Sequence, residues 1–278
     1  MKRWPLAVLA VVAGLAVTVQ VDPTPFDSPF PSPLASHLYL PVVVGNRPTT
    51  GGHGAGMTVG DCEAVAALGL EWTHGWQRNP TICEGVEAVP QISHLSEIGQ
   101  PLGGNSQYVI YLNEPEQTNQ SNVPDPLDAA AGLVEMLVTY PDKIIVLPSA
   151  SLHYLTVMWD AGDFPPERVA ANGHCYGWGY LSTALVKCKA HGDNLLAWAD
   201  ERGIRETWIT EFGLDPAWYD GMAGNVEFMR QMVAYYERVG IDRWAWFQVN
   251  STARKWSTGE MGLWVDGYIT ELGEAYRQ

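Results

Sequence analysis

From about residue 54 onward the chain alternates short apolar runs with longer segments of mixed character. The runs are rich in Val, Ile, Trp and Tyr and are too short for helices, so they read as buried strands; the mixed segments between them read as helices. Strands are predicted over 56–59, 70–76, 87–92, 108–113, 143–149, 169–176, 206–211 and 243–249. Helices are predicted over 61–68 with Asp61 as N-cap, 125–138 following Pro124, 180–201 and 221–239. The connections after the third and fifth strands carry no defined helical pattern. Alternation of strand and helix favours a parallel sheet, closed or open, over an all-β sandwich. Eight strands is the number a closed barrel needs. No internal repeat is present.

The N-terminus has a different pattern. Met1-Lys-Arg precedes an uncharged apolar stretch, 6–19, which has the form of a secretory signal and is short for a spanning helix. Export, to a secreted or extracytoplasmic location, is therefore expected. The small-residue site at Gly14-Leu-Ala16 is a weak cleavage signal, and an uncleaved membrane anchor is the alternative. Residues 22–33 are rich in Pro, Ser and Asp and read as an extended linker. The apolar segment 37–45 interrupts it, as an edge strand or as a sorting-like segment. The organisation expected is a signal peptide or anchor over 1–21, a linker with a short apolar segment over 22–53, and one domain over 54–278. A monomer is expected.

The formal net charge of −15 argues against nucleic acid, whose binding rests on Lys and Arg contacts to phosphate. A neutral polysaccharide is compatible with it, and solubility alone explains it equally well. Four cysteines behind an export signal suggest two disulfides, for which there are three pairings. Cys175 lies between two residues expected to face the barrel axis, so it points to the helix layer, where Cys188 follows on the next helix. That favours Cys175–Cys188 and leaves Cys62–Cys83. No Cys-x-x-Cys or His-x-x-x-His spacing supports a metal site, and no phosphate-loop or dinucleotide fingerprint supports a cofactor.

Two of the strands end on glutamates, in Asn113-Glu114-Pro115 and in Thr210-Glu211-Phe-Gly213. Hydrolysis of a glycosidic bond uses such a pair, because the leaving group is protonated by one carboxyl while the other, ionised, meets the oxocarbenium-like centre. In a barrel the functional groups gather at the C-terminal strand ends. Glu114, Glu211, Tyr176, His74 and Gln248 all fall there. Asn113 and Glu114 are adjacent and can share a cleft only if the strand has ended or bulged, which Pro115 favours. Tyr176 is expected to donate to Glu211. His174 lies on the same strand face and either orients a carboxyl or binds substrate. The bland alternatives are an Asx-turn for Asn113 and plain core packing for His174 and Tyr176. Twelve Trp and twelve Tyr against six Phe suit stacking on sugar rings, with Trp72, Trp76, Trp178, Trp246 and Trp264 as subsite candidates. Trp208 is expected on the opposite strand face from Glu211, packed under a helix.

Asn113-Glu114-Pro115, His174-Cys-Tyr176, Trp208-Ile-Thr-Glu211-Phe-Gly213 and Trp244-Ala-Trp246-Phe247 occur in an order that resembles clan A glycoside hydrolases. Within the clan the chain looks most like the group around family 128, a glycosyl hydrolase catalytic core, over roughly residues 54–278. The resemblance implies a (β/α)8 TIM barrel, with Glu114 as acid/base on the fourth strand and Glu211 as nucleophile on the seventh. It also implies Asn113 as donor to the sugar 2-hydroxyl, a retaining mechanism, and endo-hydrolysis of β-1,3-glucan. In retaining enzymes the carboxyl groups stand about 5–5.5 Å apart. The polar loop 117–123 and the long segment 152–166, which carries His153 and Trp159, have no counterpart in the expectation and leave linkage and substrate length open. The rival readings are a non-catalytic carbohydrate-binding barrel and a clan A glycosidase of other specificity, such as a xylanase or arabinosidase.

Overall fold

A computed structural model describes residues 52–57, 60–177, 179–214, 221–250 and 261–278, all within the compact unit Val44–Gln278. The signal-like stretch 6–19, the linker, the segment 37–45, Thr58, Val59 and Trp178 lie outside the described residues. Among the described residues no helix is long and apolar enough to cross a membrane.

The strands are β1 (His53–Gly56), β2 (Trp72–His74), β3 (Glu87–Val89), β4 (Gln91–Ile92), β5 (Tyr108–Tyr111), β6 (Ile144–Val146), β7 (Val169–Gly177), β8 (Glu206–Leu214) and β9 (Arg243–Trp246). They pair in parallel in the order β3-β2-β1-β9-β8-β7-β6-β5-β4. The two ends of this order are consecutive in the chain, separated only by Pro90. The predicted third strand is thus one strand interrupted by proline, which has no N–H to give to a ladder. The Pro90 carbonyl still accepts from Ile110 N at 2.9 Å. With β3 held by β2 and β4 held by β5, the sheet closes into an eight-stranded (β/α)8 barrel.

The first strand starts at His53, three residues before its predicted start at residue 56. Its glycines hid it from an apolar pattern. A Cβ on Gly54 would stand 2.3 Å from the Trp72 ring, so a bare backbone there makes room for the indole inside the barrel.

Helices α1 (Cys62–Leu68), α2 (Pro126–Thr139), α3 (Leu152–Asp160), α4 (Leu181–Glu201) and α5 (Met222–Val239) form the outer layer, followed by α6 (Glu271–Tyr276). The Asp61 carboxylate accepts from Ala64 N at 3.0 Å and opens α1. The connection after the fifth barrel strand, without a helical pattern in the sequence, holds α3, whose N-cap Ser151 accepts from Tyr154 N at 3.2 Å. After the third barrel strand there is only a single 3₁₀ turn, Leu95–Glu97. Disulfides join Cys62 to Cys83 and Cys175 to Cys188, the second fastening β7 to α4.

The barrel interior is closed at its N-terminal end by Trp72, Tyr108 and Trp208, from strands that meet only across the axis. Trp208 lies 5.3 Å from Trp72 and 4.7 Å from Tyr108 between ring centroids. The Arg243 guanidinium sits 4.6 Å over both Tyr108 and Trp208 and pairs with Glu87 at 2.5 Å. Two expectations are corrected here. Trp72 is a buried floor residue and no subsite, and Trp208 faces the axis instead of packing under a helix.

Strand β8 explains the second correction. Ile209 pairs with Gly173 and Glu211 with His174, so Thr210 is one residue too many. The same shift appears against β9, where Ile209 faces Trp244 and Phe212 faces Trp246. A bulge reverses the side-chain parity beyond it. Trp208, Thr210 and Glu211 therefore all turn inward, and Phe212 turns out against Tyr236 on α5 at 5.3 Å.

Trp246 and Trp264 are also corrected from subsite to core. Ala245 belongs to the interior cluster, so its neighbour Trp246 points outward, where its indole donates to Met261 O at 2.8 Å and meets Phe212 at 5.0 Å. Trp264 belongs to a small antiparallel hairpin, β10 (Trp264–Val265) and β11 (Tyr268–Ile269), and is 7% exposed.

Candidate active site

The segment after β5 is shaped by two left-handed residues, Leu112 at φ 57° and Glu114 at φ 40°. By alternation Leu112 would follow Tyr108 and Ile110 onto the barrel axis; instead it packs in the outer core. Asn113 and Glu114 are then both free to face the cleft. Each such conformation costs roughly 1–2 kcal/mol for a residue with a Cβ. Local bonds offset it: Leu112 N donates to Ile92 O at 2.7 Å and Asn113 N to Ser121 Oγ at 2.6 Å.

Glu114, His174 and Glu211 converge at the C-terminal end of the barrel. One side-chain donor or acceptor atom of each lies within 4.8 Å of those of the other two. His174 Nδ1 is 3.1 Å from Glu114 Oε1 and 3.5 Å from Glu211 Oε2. Gln117 Nε2 donates to Glu114 Oε2 at 2.8 Å. The Tyr176 hydroxyl donates to Glu211 Oε2, and Trp76 Nε1 donates to Glu211 Oε1 at 2.6 Å. Trp76, a subsite candidate in the sequence, thus holds a carboxylate as well as lining the cleft.

Burial pushes the Glu211 carboxyl above its ordinary range, since a charge there has little water. His174, Tyr176 and Trp76 oppose that shift by favouring the ionised form, while Glu114 adds to it. Burial and then the adjacent Glu211 raise the Tyr176 phenol well above its ordinary range, so it stays a donor. His74 lies beneath this layer, 1% exposed, with Nε2 donating to Thr210 O at 2.9 Å. Its burial brings its pKa down to about 4 and keeps it neutral at neutral pH.

Two hollows meet this cluster. The larger, of about 390 Å³, is bounded by Glu211, Asn113, Trp76, Phe247 and Gln248 and by the Asn119–Ser121 part of the polar loop 117–123. The smaller, of about 180 Å³, is bounded by Glu114, His174, Gln117, Ser149 and Ser151. Asn113 Nδ2 donates to Gln120 Oε1 at 3.0 Å, which orients the amide in the cleft wall. Among the described residues Gln248 Oε1 is buried with no hydrogen-bond donor.

The structure therefore brings together Glu114, Glu211, Asn113, His174, Tyr176, Trp76 and Gln248, and sets His74 just below. Sequence reasoning missed Thr210, Asn172, Gln117 and Gln120. Thr210 is Glu211's neighbour in the chain, and plain strand alternation puts neighbours on opposite faces.

The family model described as glycosyl hydrolase catalytic core matches residues 62–276. Among solved structures, the chain is similar to a glycoside hydrolase family 128 endo-β-1,3-glucanase of Amycolatopsis mediterranei in complex with laminaritriose. The identity is 21%, the TM-score 0.64, and the match covers 82% of this chain and 98% of that one. An endo-β-1,3-glucanase of the same family from Sorangium cellulosum matches at 19% identity and TM-score 0.64, over 81% and 97% of the two chains. A curdlan-specific exo-β-1,3-glucanase from Blastomyces gilchristii matches at 20% identity and TM-score 0.62, over 83% and 99%. No curated protein sequence matches the chain.

Proposed function

Because the chain belongs to the glycosyl hydrolase catalytic-core family, we propose that it is a secreted, retaining endo-β-1,3-glucanase in which Glu114 is the acid/base and Glu211 the nucleophile. The observation that carries this reading is the closeness of the two carboxylates, whose nearest oxygens lie within 4.8 Å. Inverting enzymes hold a water between carboxyls about 6.5–9.5 Å apart; a direct attack needs the shorter spacing. Support for β-1,3-glucan comes from similar folds that are β-1,3-glucanases, one of them holding laminaritriose. Hollows on both the Glu114 and the Glu211 side suit a chain that runs through the cleft. Two disulfides suit an oxidising compartment.

In the first step Glu211 attacks the anomeric carbon while Glu114 gives its proton to the departing oxygen. A covalent glycosyl-enzyme forms and the aglycone leaves. In the second step Glu114, now ionised, takes a proton from water, which displaces Glu211 and restores both carboxyls. Tyr176 and Trp76 hold Glu211 in line and favour its charge. Asn113, braced by Gln120, faces the cleft where a 2-hydroxyl contact would strengthen as the ring flattens.

Reducing-end release from laminarin, lichenan, xylan, arabinan and cellulose tests the substrate. Laminarin is expected to be cleaved to a ladder of oligosaccharides, with the β-anomer appearing first by NMR. Release from xylan or arabinan alone, or an α-anomer first, defeats the proposal.

A further inference from the structure

The hydrogen bonds beneath Glu114 have only one consistent direction. The backbone N–H of Thr210 can only donate, and it points at Asn172 Oδ1 at 3.2 Å, which sets the orientation of that buried amide. An amide oxygen can only accept, so the Thr210 hydroxyl, 2.9 Å from the same Oδ1, donates to it. With its hydrogen committed, Thr210 Oγ1 is an acceptor toward His174 Nε2 at 3.0 Å, and Nε2 carries a hydrogen. The other ring nitrogen, Nδ1, is the one that faces Glu114 Oε1 at 3.1 Å.

We infer that Asn172 and Thr210 are positioning residues that lock His174 as its Nε2–H tautomer, so that one proton is held between His174 Nδ1 and Glu114 Oε1. This rests on the reading of Glu114 as acid/base. Loss of that proton would leave a carboxylate facing the lone pair of Nδ1, two acceptors in contact at 3.1 Å. An imidazole free to change tautomer would present Nδ1–H to the carboxylate and stabilise its charge. The bulge at Thr210 makes the lock feasible, because it puts Thr210 and Glu211, neighbours in the chain, on the same side of β8. The charged or titratable groups around the ring are Glu114 from the loop after β5, Glu211 from β8, Tyr176 from β7, His74 from β2 and His191 from α4. Burial lowers the pKa of both neighbouring imidazoles, which favours their uncharged forms.

The test is ¹⁵N NMR of histidine-labelled full chain, with the His174 signals identified by their loss in His174→Asn, alongside pH profiles of kcat/KM on laminarin. Wild-type protein is expected to keep hydrogen on Nε2 from acid to alkaline pH. Thr210→Val, which keeps the shape and removes the hydroxyl, should move His174 toward the Nδ1–H tautomer. It should also shift the alkaline limb of the profile about one unit toward acid, and Thr210→Ser should restore both. A wild-type spectrum showing Nδ1–H with bare Nε2 overturns the inference without any variant. So does a folded Thr210→Val with unchanged spectrum and unchanged limb. The spectrum needs no substrate, so an Nε2–H tautomer in a protein that cleaves no glucan would support the lock and defeat the proposed function.

Discussion

Glu114 and Glu211 share one side chain and differ in surroundings. Glu114 is 19% exposed and Glu211 6%. Glu211 takes hydrogen bonds from Tyr176 and Trp76, while Glu114 has Gln117 and His174. On the proposed division of roles the two should fail differently. Glu114→Gln is expected to slow polysaccharide cleavage by roughly 10²–10⁴-fold, to spare glycosylation by an activated aryl glycoside, and to yield a β-azide with added azide. Glu211→Gln should lose both substrates and give an α-azide on rescue. Equal losses on both substrates with no azide product would refute the division. Tyr176→Phe addresses the charge on Glu211. Burial already raises the pKa of that carboxyl, and removing a donor to the ionised form raises it further. The acid limb of kcat/KM, where activity is lost as pH falls through this pKa, should move up by about 1–2 units. A charge-assisted hydrogen bond is worth about 1.5–3 kcal/mol and one unit about 1.4 kcal/mol. An unmoved acid limb in the folded variant would show that Glu211 is not the group titrating there.

At the scale of elements, β7 and β8 carry the chemistry and are built differently. β7 alternates without interruption: Asn172, His174 and Tyr176 face inward, and Cys175 faces α4. Gly173 also faces α4, where a Cβ would stand 2.5 Å from His191. β8 needs its bulge to turn Glu211 inward below a Phe212 that seals the outer core. The Cys175–Cys188 bridge ties the regular strand to its helix across 13 residues of sequence. Closing a loop of about that length removes about 3 kcal/mol of unfolded-state freedom. The double variant Cys175→Ala, Cys188→Ala is therefore expected to lose about 2–4 kcal/mol of stability in urea unfolding under oxidising conditions, with the ratio of aryl glycoside to laminarin turnover unchanged. A stability equal to wild type would show that β7 and α4 hold together without it.

Across the whole molecule the two ends of the barrel divide the work, as the fold requires. The C-terminal end holds the carboxylates. The N-terminal end is stoppered by Arg243 against Tyr108, Trp208 and Glu87. Arg243 is 8% exposed, and its removal leaves the partly exposed Glu87 with Ser106 Oγ as a donor and opens a void between two rings. Arg243→Ala is expected to cost about 1.5–3 kcal/mol, as for a hydrogen bond to a charged group, measured by denaturant midpoint at constant slope. The pH profile of the surviving folded enzyme should not change. A shifted profile would mean that the floor is electrically coupled to the site.

The chain by itself determined the succession of the eight barrel strands and four of the helices between them, both cysteine pairings and the glycosyl hydrolase resemblance, because these depend on local periodicity, on strand parity and on short words. Cys175 could be aimed from sequence since β7 keeps its pleat throughout. Tertiary structure decided what parity could not. Thr210 is an extra residue against two neighbouring strands, and only their pairing reveals it; without it alternation places Trp208 under a helix. Leu112 in the left-handed region is held by Ile92 and by packing, with no local sequence signal for it. Trp72, Trp246 and Trp264 share the residue type of Trp76, and whether an indole meets sugar, core or carboxylate is set by what stands across from it in space.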